Sequence, residues 1–419
     1  MADKGKGRVL VTTSTLPCLD NDGEPRFVLD LSRALQAHFD VTILAPAHPC
    51  APMRHELSGV PVVRYRYAPS RRWEVLSYPG AIGPRLRRNP ALWPLVPALF
   101  AGLRQATARL IADGGFDCVH SHWALPQGFV QSTLAGRAGA PPYVVTMHGG
   151  DIYTTGTLAK SLLVRRALRG AAAVTVVSAA LKAHLMEGPL RGVLDREPAV
   201  IPMGCDLGAF ARHGPGGGPP AGLDPARPLI LFVGRLAEKK GLPVLLRAMA
   251  GDGLGALGAT LAIAGDGPMR GELEALVERL GLRQRVRLLG SVAHRDLPAL
   301  YAAADVFCAP FVVARDGDTE GLPTVLSEAG AAGLASVVGD VGGVREIIED
   351  GVNGLVVPSG DVPALAAALC RVLGDADLRR CMAAAARERA CGYDWQCIGE
   401  RFAEILGGAM AGERPGKAA

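Results

Sequence analysis

Short runs of Val, Ile and Leu alternate with longer amphipathic stretches along the whole chain. In the stretch at 26–38, Phe27, Leu31, Ala34 and Leu35 recur at the spacing of one helix face. The short runs are nearly continuous in apolar residues, which is typical of strands buried on both faces of a parallel sheet. The predicted strands are residues 8–13, 40–46, 60–65, 117–122, 143–149 and 173–178, then 228–234, 259–265, 285–291, 305–311, 335–340 and 354–358.

A Gly- and Pro-rich segment at 211–228 interrupts this alternation, which then restarts. A chain of 419 residues is long for one core and fits two domains of ordinary size. Strand–helix alternation in each half predicts an α/β protein with two tandem Rossmann-like, doubly wound domains. We place the first domain at 1–212, a linker at 213–227, the second domain at 228–390, and a C-terminal helix with its tail at 391–419.

Cysteine spacing and the lengths of the apolar runs indicate the expected cellular compartment. The nine cysteines are scattered without a C-x-x-C pair, which argues against a zinc site or a disulfide framework. The N-terminus has no apolar run of signal-peptide length, and nowhere do 18 apolar residues follow one another. We therefore expect a cytoplasmic protein.

Charge is distributed unevenly. Residues 1–212 carry 24 Lys and Arg against 15 Asp and Glu, whereas the remainder carries 21 against 25. The basic half either meets something anionic or has an ordinary solvated surface. The stretch at 85–103 (RLRRNPALWPLVPALFAGL) is likewise open: an Arg-flanked core helix, or a segment against a membrane or over a lipid-linked acceptor.

The motif EGLPTVLSE at 320–328 carries the sharpest chemical signal. A Gly-Leu-Pro-Thr turn opens a helix there, so the backbone N–H groups of residues 321–324 are expected to form an anion site. Glu320 and Glu328 frame that site with carboxylates suited to sugar hydroxyls and a ribose diol. A capped helix with solvated acids is the alternative.

The segment GRLAEKKG at 234–241 follows the first strand of the second half. Arg235 and Lys240 lie in this strand-to-helix loop, where two cations can neutralise a diphosphate. As residues of an exposed loop, they should tolerate substitution with little effect on folding. A solvated loop is the alternative.

These motifs resemble those of the retaining family 4 glycosyltransferases. EGLPTVLSE is similar to their E-x7-E motif and GRLAEKKG to their Arg/Lys diphosphate clamp. AGDGPMRGELE at 264–274, VGGVREIIEDGVNGLVVPSGD at 341–361 and MHGGD at 147–151 also match, in the family's order. The resemblance implies a GT-B fold, whose two domains face across a cleft, and a terminal helix that crosses back to the first domain. It also implies sugar transfer with retention, a nucleotide-diphosphate sugar as co-substrate, and no required cofactor or metal.

The resemblance assigns roles residue by residue. Arg235 and Lys240 would hold the β-phosphate, Glu320 would bind donor-sugar hydroxyls, and Glu328 would bind the ribose. His148 would reach the donor sugar near the anomeric centre. Further donor-binding residues are Gly23, Gly234, Ser291, Val292, Gly321, Leu322, Pro323 and Thr324, and Glu24 and Asp151 are assigned to the acceptor side. Gly23 stands alone in NDGEPRF, where the family usually has adjacent glycines.

Three other signals point elsewhere and are set aside. GDGPMRG at 265–271 imitates a dinucleotide fingerprint, but no acidic residue ends the next strand to hold an adenine ribose. Asp316 and Asp318 imitate a metal-binding DxD, but GT-B enzymes do not need one, so we interpret them as a polar loop. His120 and His122 share a strand face without a third ligand in view, which disfavours a metal.

The expected function is glycosyl transfer in polysaccharide or glycolipid assembly, with peripheral contact at the inner membrane face and no nucleic-acid partner. A soluble natural product or small sugar is the alternative acceptor. Two other classes stay open. A GT-B sugar-nucleotide epimerase would need an acidic first-domain site beyond His148 and Asp151. A nucleotide-sugar-binding scaffold would be expected to lack Arg235, Lys240 or Glu320, and all three are present.

Overall fold

Two sheets organise the chain, and each belongs to its own unit. In the computed structural model the first unit contains Met1–Met203 and Trp395–Ala419, and the second contains Gly204–Asp394. The structure describes residues 6–20, 22, 24–78, 82–150, 158–211, 220 and 223–412.

The described strands of the first unit form one sheet in the order β3-β4-β2-β1-β5-β6-β7-β8. These strands are β1 (Arg8–Thr12), β2 (Asp40–Pro46), β3 (Arg54–Leu57), β4 (Val60–Tyr65), β5 (Cys118–His122), β6 (Tyr143–Met147), β7 (Ala173–Val176) and β8 (Ala199–Val200). The helices between them are α1 (Phe27–Leu35), α2 (Ile82–Arg88), α3 (Leu95–Gly114), α4 (Phe129–Leu134), α5 (Leu158–Arg169) and α6 (Ala179–Glu187). Every predicted strand of this half is confirmed.

The strand order places a switch point beside β1. The chain runs from β1 to β2 on one side and returns through β5 on the other, with Val9 opposite both Val41 and Cys118. Loops that leave two such strands diverge, and the crevice between them is where open α/β sheets bind ligands.

Two short strands, β3 and β8, lie outside the predicted pattern. β3 pairs antiparallel with β4 through a tight turn at Ser58 and Gly59, whose φ values are 45° and 80°. Positive φ at both central residues is the signature of the type I′ hairpin turn.

The described strands of the second unit form a parallel sheet in the order β11-β10-β9-β12-β13-β14. They are β9 (Leu229–Val233), β10 (Thr260–Ala264), β11 (Val286–Gly290), β12 (Val306–Ala309), β13 (Ala335–Gly339) and β14 (Gly354–Val357). The helices are α7 (Leu207–Ala211), α8 (Leu242–Met249), α9 (Asp252–Ala256), α10 (Arg270–Arg279), α11 (Leu297–Ala303), α12 (Thr324–Ala332), α13 (Val344–Ile347), α14 (Val362–Gly374) and α15 (Ala376–Ala390). The strands predicted for this half are confirmed as well.

Strand β9 shows why a doubly wound sheet forms here. All five of its residues are buried. Ile230 and Phe232 belong to one hydrophobic cluster, whereas Leu229, Leu231 and Val233 belong to another. Successive side chains of a strand point to opposite faces, so helices must cover both faces of this strand. The switch point of this sheet lies between β9 and β12.

The last helix, α16 (Trp395–Met410), belongs to the first unit. It buries Ile398, Phe402, Leu406 and Ala409, a spacing that gives one apolar face. A Cβ added at Gly399 would lie 2.9 Å from the Ala34 Cβ, so α16 and α1 approach closely.

The Arg-rich stretch at 85–103 combines buried and exposed parts. It contains the end of α2, a 3₁₀ turn at Pro90–Leu92 and the start of α3. Leu99 and Leu103 face the core, while Trp93 is 57% exposed. None of the helices in the described ranges has both the length and the apolar character needed to cross a bilayer.

Candidate functional site

Two loops of the second unit leave the sheet at its switch point. The loop at 234–241 follows β9 and the loop at 310–323 follows β12. They are joined by a hydrogen bond from Val312 N to Lys239 O, 2.9 Å long. Gly241 makes this approach possible: its φ is 68°, and a Cβ there would lie 1.8 Å from Pro310 O.

A cluster of opposite charges lies between these loops. Lys240 Nζ is 3.1 Å from Glu320 Oε2, and Lys239 Nζ is 3.3 Å from Glu320 Oε1. The side chains of Lys240 and Glu320 are only 13% and 11% exposed. The interpretation of Lys240 as an exposed loop residue is therefore wrong, because its stem packs inside the unit.

The lysines decide the charge state of Glu320. Burial alone would raise the pKa of this carboxyl, but Lys240 and Lys239 together outweigh burial and hold it below its ordinary value. Burial opposes the charge of Lys239, and Glu320 and Asp318 reverse that effect, so its pKa is raised. Glu320 is thus an anion flanked by cations at neutral pH.

An aromatic ring supports the Lys240 ammonium. Lys240 Nζ lies 5.0 Å from the centroid of the Phe311 ring, a fully buried side chain in the second loop. A cation over a ring face is attracted by the ring quadrupole. The contact holds Lys240 at the switch point.

The predicted helix after Glu320 begins at Thr324, the first residue of α12. The N–H groups of its first turn have no acceptor within the helix, as in every helix. One detail of the predicted anion site is wrong: Pro323 has no N–H, so only Gly321, Leu322 and Thr324 of residues 321–324 offer donors. The backbone at Gly342, where φ is 48°, packs directly against this turn. A Cβ at that position would lie 1.9 Å from Glu320 O, so only glycine fits there.

A hydrogen bond from a buried tyrosine holds the Glu328 carboxylate. The hydroxyl of fully buried Tyr301 donates to Glu328 Oε2 at 2.8 Å. This bond fixes the carboxylate one turn into α12, on a rigid element.

Arg235 differs from Lys240 in its surroundings. It is exposed, and none of the described acidic residues forms an ion pair with it.

Gly234, next to Arg235 in sequence, packs against the loop that follows β10, since a Cβ at Gly265 would lie 1.9 Å from Gly234 O. A Cβ at Gly267 would likewise lie 2.5 Å from Leu236 O, so these two glycines of GDGPMRG serve close packing of two loops. Ser291 and Val292 follow β11, at the sheet edge and two strands from β9.

The two aspartates of the DGD loop are engaged inside the second unit. Asp318 Oδ2 lies 3.3 Å from Lys239 Nζ, and Asp316 Oδ1 accepts a hydrogen bond from Asp318 N at 3.1 Å. Among the described residues, no group of three or more His, Cys, Asp or Glu is arranged to hold a metal ion.

In the first unit, His148 follows β6 and lies among rings from elements beside the β1–β5 switch point. Its ring centroid is 4.7 Å from Trp123, 5.0 Å from Phe27 and 5.2 Å from His122. Trp123 has φ 73°, unusual for a bulky residue and a conformation that clusters at ligand sites. Burial, then His120, lowers the pKa of His148 to about 3, so its imidazole is neutral.

Each half of the chain matches a known protein family. The family model of glycosyl transferases group 1 matches residues 219–389, and that of glycosyltransferase family 4 matches residues 22–209. The GDP-mannose-dependent alpha-(1-6)-phosphatidylinositol monomannoside mannosyltransferase of Mycolicibacterium smegmatis is 31% identical over 315 residues, or 72% of this chain and 78% of that protein. The chain belongs to glycosyltransferase family 4.

Two further likenesses extend over most of this family 4 glycosyltransferase. The phosphatidyl-myo-inositol mannosyltransferase of Mycolicibacterium smegmatis is 30% identical over 389 residues, which cover 91% of this chain and 89% of that protein. Sucrose-phosphate synthase from Thermosynechococcus elongatus shares the fold, with a TM-score of 0.76 at 23% identity over 97% of this chain and 100% of that one. The fold is GT-B, and the enzyme class is glycosyltransferase (EC 2.4).

Two residues of the candidate sites, Lys239 and His122, were not assigned to them from the sequence. Lys239 pairs with Glu320, and the doubled lysine of GRLAEKKG was the available signal. His122 hydrogen-bonds to His148, which follows the neighbouring strand, and no local spacing reveals this partner.

The predicted acceptor-side residues of the first unit are described only in part. Glu24 lies two positions after Asp22, and its backbone N–H donates to Asp22 Oδ1 at 2.7 Å. Gly23 and Asp151 lie outside the described residues.

Proposed function

We propose that this glycosyltransferase moves a sugar from a nucleotide-diphosphate sugar to an acceptor hydroxyl with retention at the anomeric carbon. The observation that carries the proposal is the Lys240–Glu320 pair, 3.1 Å apart at the switch point of the second unit. An anion-binding group, Lys240, and a hydroxyl-binding group, Glu320, stand there side by side, as a sugar diphosphate requires.

In this proposal the second unit binds the donor. Lys240 and exposed Arg235 neutralise the diphosphate, and the N–H groups at the start of α12 bind its oxygens. Glu320 accepts hydrogen bonds from sugar hydroxyls, and Glu328, held by Tyr301, binds the ribose diol. Gly234, which follows β9, and Ser291 and Val292, which follow β11, complete the proposed donor-binding residues.

The proposed reaction is a same-face displacement at the anomeric carbon. The acceptor hydroxyl oxygen attacks the anomeric carbon on the face from which the diphosphate departs. The bond from that carbon to the β-phosphate oxygen breaks, and the hydroxyl proton passes to the departing phosphate. Lys240 and Arg235 stabilise the charge that grows on the leaving group. No metal or other cofactor is required.

The first unit, in the same proposal, binds the acceptor and contributes His148 to the sugar, with Glu24 and Asp151 on the acceptor side. Trp73 and Trp93 are 55% and 57% exposed and lie near exposed arginines, Arg72, Arg87 and Arg88. Exposed Trp with Arg is suited to an anionic membrane surface. The two mycobacterial relatives are named for phosphatidylinositol acceptors, so we propose a lipid-linked acceptor at the inner membrane face.

Nucleotide-sugar binding tests the donor half of this proposal. Thermal shift with GDP-, UDP-, ADP- and dTDP-sugars should show one base preferred, with GDP-mannose the first candidate because one relative is named for it. Lys240→Ala should abolish the shift, while Arg315→Ala, which removes a 95% exposed side chain of the neighbouring loop at 310–323, should retain it. A panel without any stabilising nucleotide sugar would refute the proposal.

A further inference from the structure

A hydrogen bond between two histidines connects neighbouring strands of the first unit. His122 Nδ1 lies 2.9 Å from His148 Nε2, and the two rings are 20° from parallel. His122 is fully buried at the end of β5. The bond uses one of the two nitrogens of His148, so only Nδ1 is left to meet a ligand.

Both imidazoles are neutral. Burial, then the neighbouring histidines, holds the pKa of His122 well below its ordinary value, and His148 behaves alike. A neutral imidazole carries one N–H and one bare nitrogen. The shared hydrogen of the 2.9 Å contact therefore belongs to either His122 or His148, and the choice fixes the character of His148 Nδ1.

The surroundings of His122 decide that choice. Among the described residues, no group hydrogen-bonds its other nitrogen, Nε2, which is buried. A proton on Nε2 would leave a buried N–H without an acceptor, and unpaired buried N–H groups are rarer in proteins than under-used acceptors. The proton of His122 therefore lies on Nδ1 and is donated to His148.

We infer that His122 is a positioning residue, which accounts for the His148 orientation and makes His148 Nδ1–H a hydrogen-bond donor to a ligand oxygen. The ligand class is a sugar hydroxyl of the glycosyl donor, so this inference rests on the proposed function. The rings of Phe27 and Trp123 also contact the His148 ring, while His122 is the one described side chain that hydrogen-bonds it.

The tautomer can be observed without any substrate. Protein labelled with ¹⁵N-histidine should show His148 protonated at Nδ1 in long-range ¹H–¹⁵N spectra, with the signal assigned by its loss in His148→Gln. His122→Leu should remove this preference, and His122→Asn, whose amide takes the place of Nδ1, should keep it. His120→Leu is the matched control, since His120 is equally buried but bonds Thr146 instead.

Kinetics provides the second readout. His122→Leu should lower kcat/KM for the nucleotide sugar about tenfold, and His122→Asn should recover most of that loss. Binding of the free nucleoside diphosphate should stay within about twofold, since a neutral hydrogen bond to the sugar is what is lost.

The outcomes separate the two proposals. An Nε2–H tautomer of His148 in the wild-type protein would overturn the inference, and so would a tautomer unchanged in His122→Leu. If the Nδ1–H tautomer is found but no nucleotide sugar binds, the positioning by His122 stands and the proposed function fails.

Discussion

Lys240 Nζ lies 3.1 Å from Glu320 Oε2, and the two residues come from the two loops that leave the sheet at the β9–β12 switch point. Neither side chain is more than 13% exposed. A charge pair shielded in this way is costly to break, because removal of one partner leaves the other buried without compensation. The pair therefore links the stability of the second unit to its proposed chemistry.

Substitution of Lys240 should affect both properties. Lys240→Ala should cut turnover by about two orders of magnitude. It should also lower the free energy of unfolding, and a double-mutant cycle with Glu320→Gln should give a coupling of about 1–3 kcal/mol. Urea unfolding and transfer assays measure the two effects. Arg315→Ala, which breaks an exposed pair with Glu238, should cost less than about 0.5 kcal/mol. A coupling near zero would contradict the buried pair.

The buried histidines should make the first unit sensitive to mild acid. Burial lowers the pKa values of His120 and His148 to about 3, below the value of about 6.5 in an unfolded chain. The unfolded state therefore binds more protons between these values, and the stability present above pH 6.5 is lost as the pH falls towards 3.

His120→Gln isolates one of these protons. Between pH 6 and 4.5 the unfolding free energy of the wild-type protein should fall more steeply than that of this variant. The difference between the two slopes should be about 1.4 kcal/mol per pH unit. All four tryptophans, Trp73, Trp93, Trp123 and Trp395, belong to the first unit, so their fluorescence in urea reports on it. Equal slopes would show that His120 is not a neutral buried base.

Activity should survive excess chelator. Lys240 and Arg235 supply the positive charge that a metal would otherwise bring to the diphosphate, and Asp318 is engaged by Lys239. Transfer rates in a large molar excess of EDTA should match those without it. Complete loss of activity, restored by Mn²⁺ or Mg²⁺, would reverse the interpretation of Asp316 and Asp318 as a polar loop.

Membrane binding should depend on charge and on exposed Trp. Co-sedimentation with anionic vesicles should be strong at low salt and weaken as salt rises, because charges are screened within about 10 Å at 0.1 M. Arg87→Ser with Arg88→Ser, and separately Trp93→Ala, should weaken binding. Arg104→Ser with Arg109→Ser, exposed on α3, is the control. Wild-type protein that stays in the supernatant at low salt would make a soluble acceptor the leading candidate.

Apolar strands and their order of alternation were readable from the sequence, because buried parallel strands have a pattern that depends on local composition alone. β3 was missed: its residues Arg54–Leu57 are polar at an edge of the sheet, where burial does not impose that pattern. The Ser58–Gly59 turn was the usable signal for this hairpin.

The candidate site was readable only in part. Motif spacing located Lys240, Glu320 and the start of α12, because each lies at the end of a predicted element. The burial of Lys240 and the pairing by Lys239 depend on contact between loops about 80 residues apart in sequence, which no local pattern encodes. The His122–His148 bond likewise depends on the pairing of β5 with β6.

The anomeric configuration of the product tests transfer with retention. The purified enzyme is mixed with the nucleotide sugar that stabilises it and a lipid-linked or soluble hydroxyl acceptor, and the reaction is followed by ¹H NMR. The donor's anomeric doublet should decay while a glycoside signal of the same configuration grows, at a rate that falls about a hundredfold in Lys240→Ala. A product of inverted configuration would contradict retention. Release of free or epimerised sugar without any glycoside would contradict transfer itself.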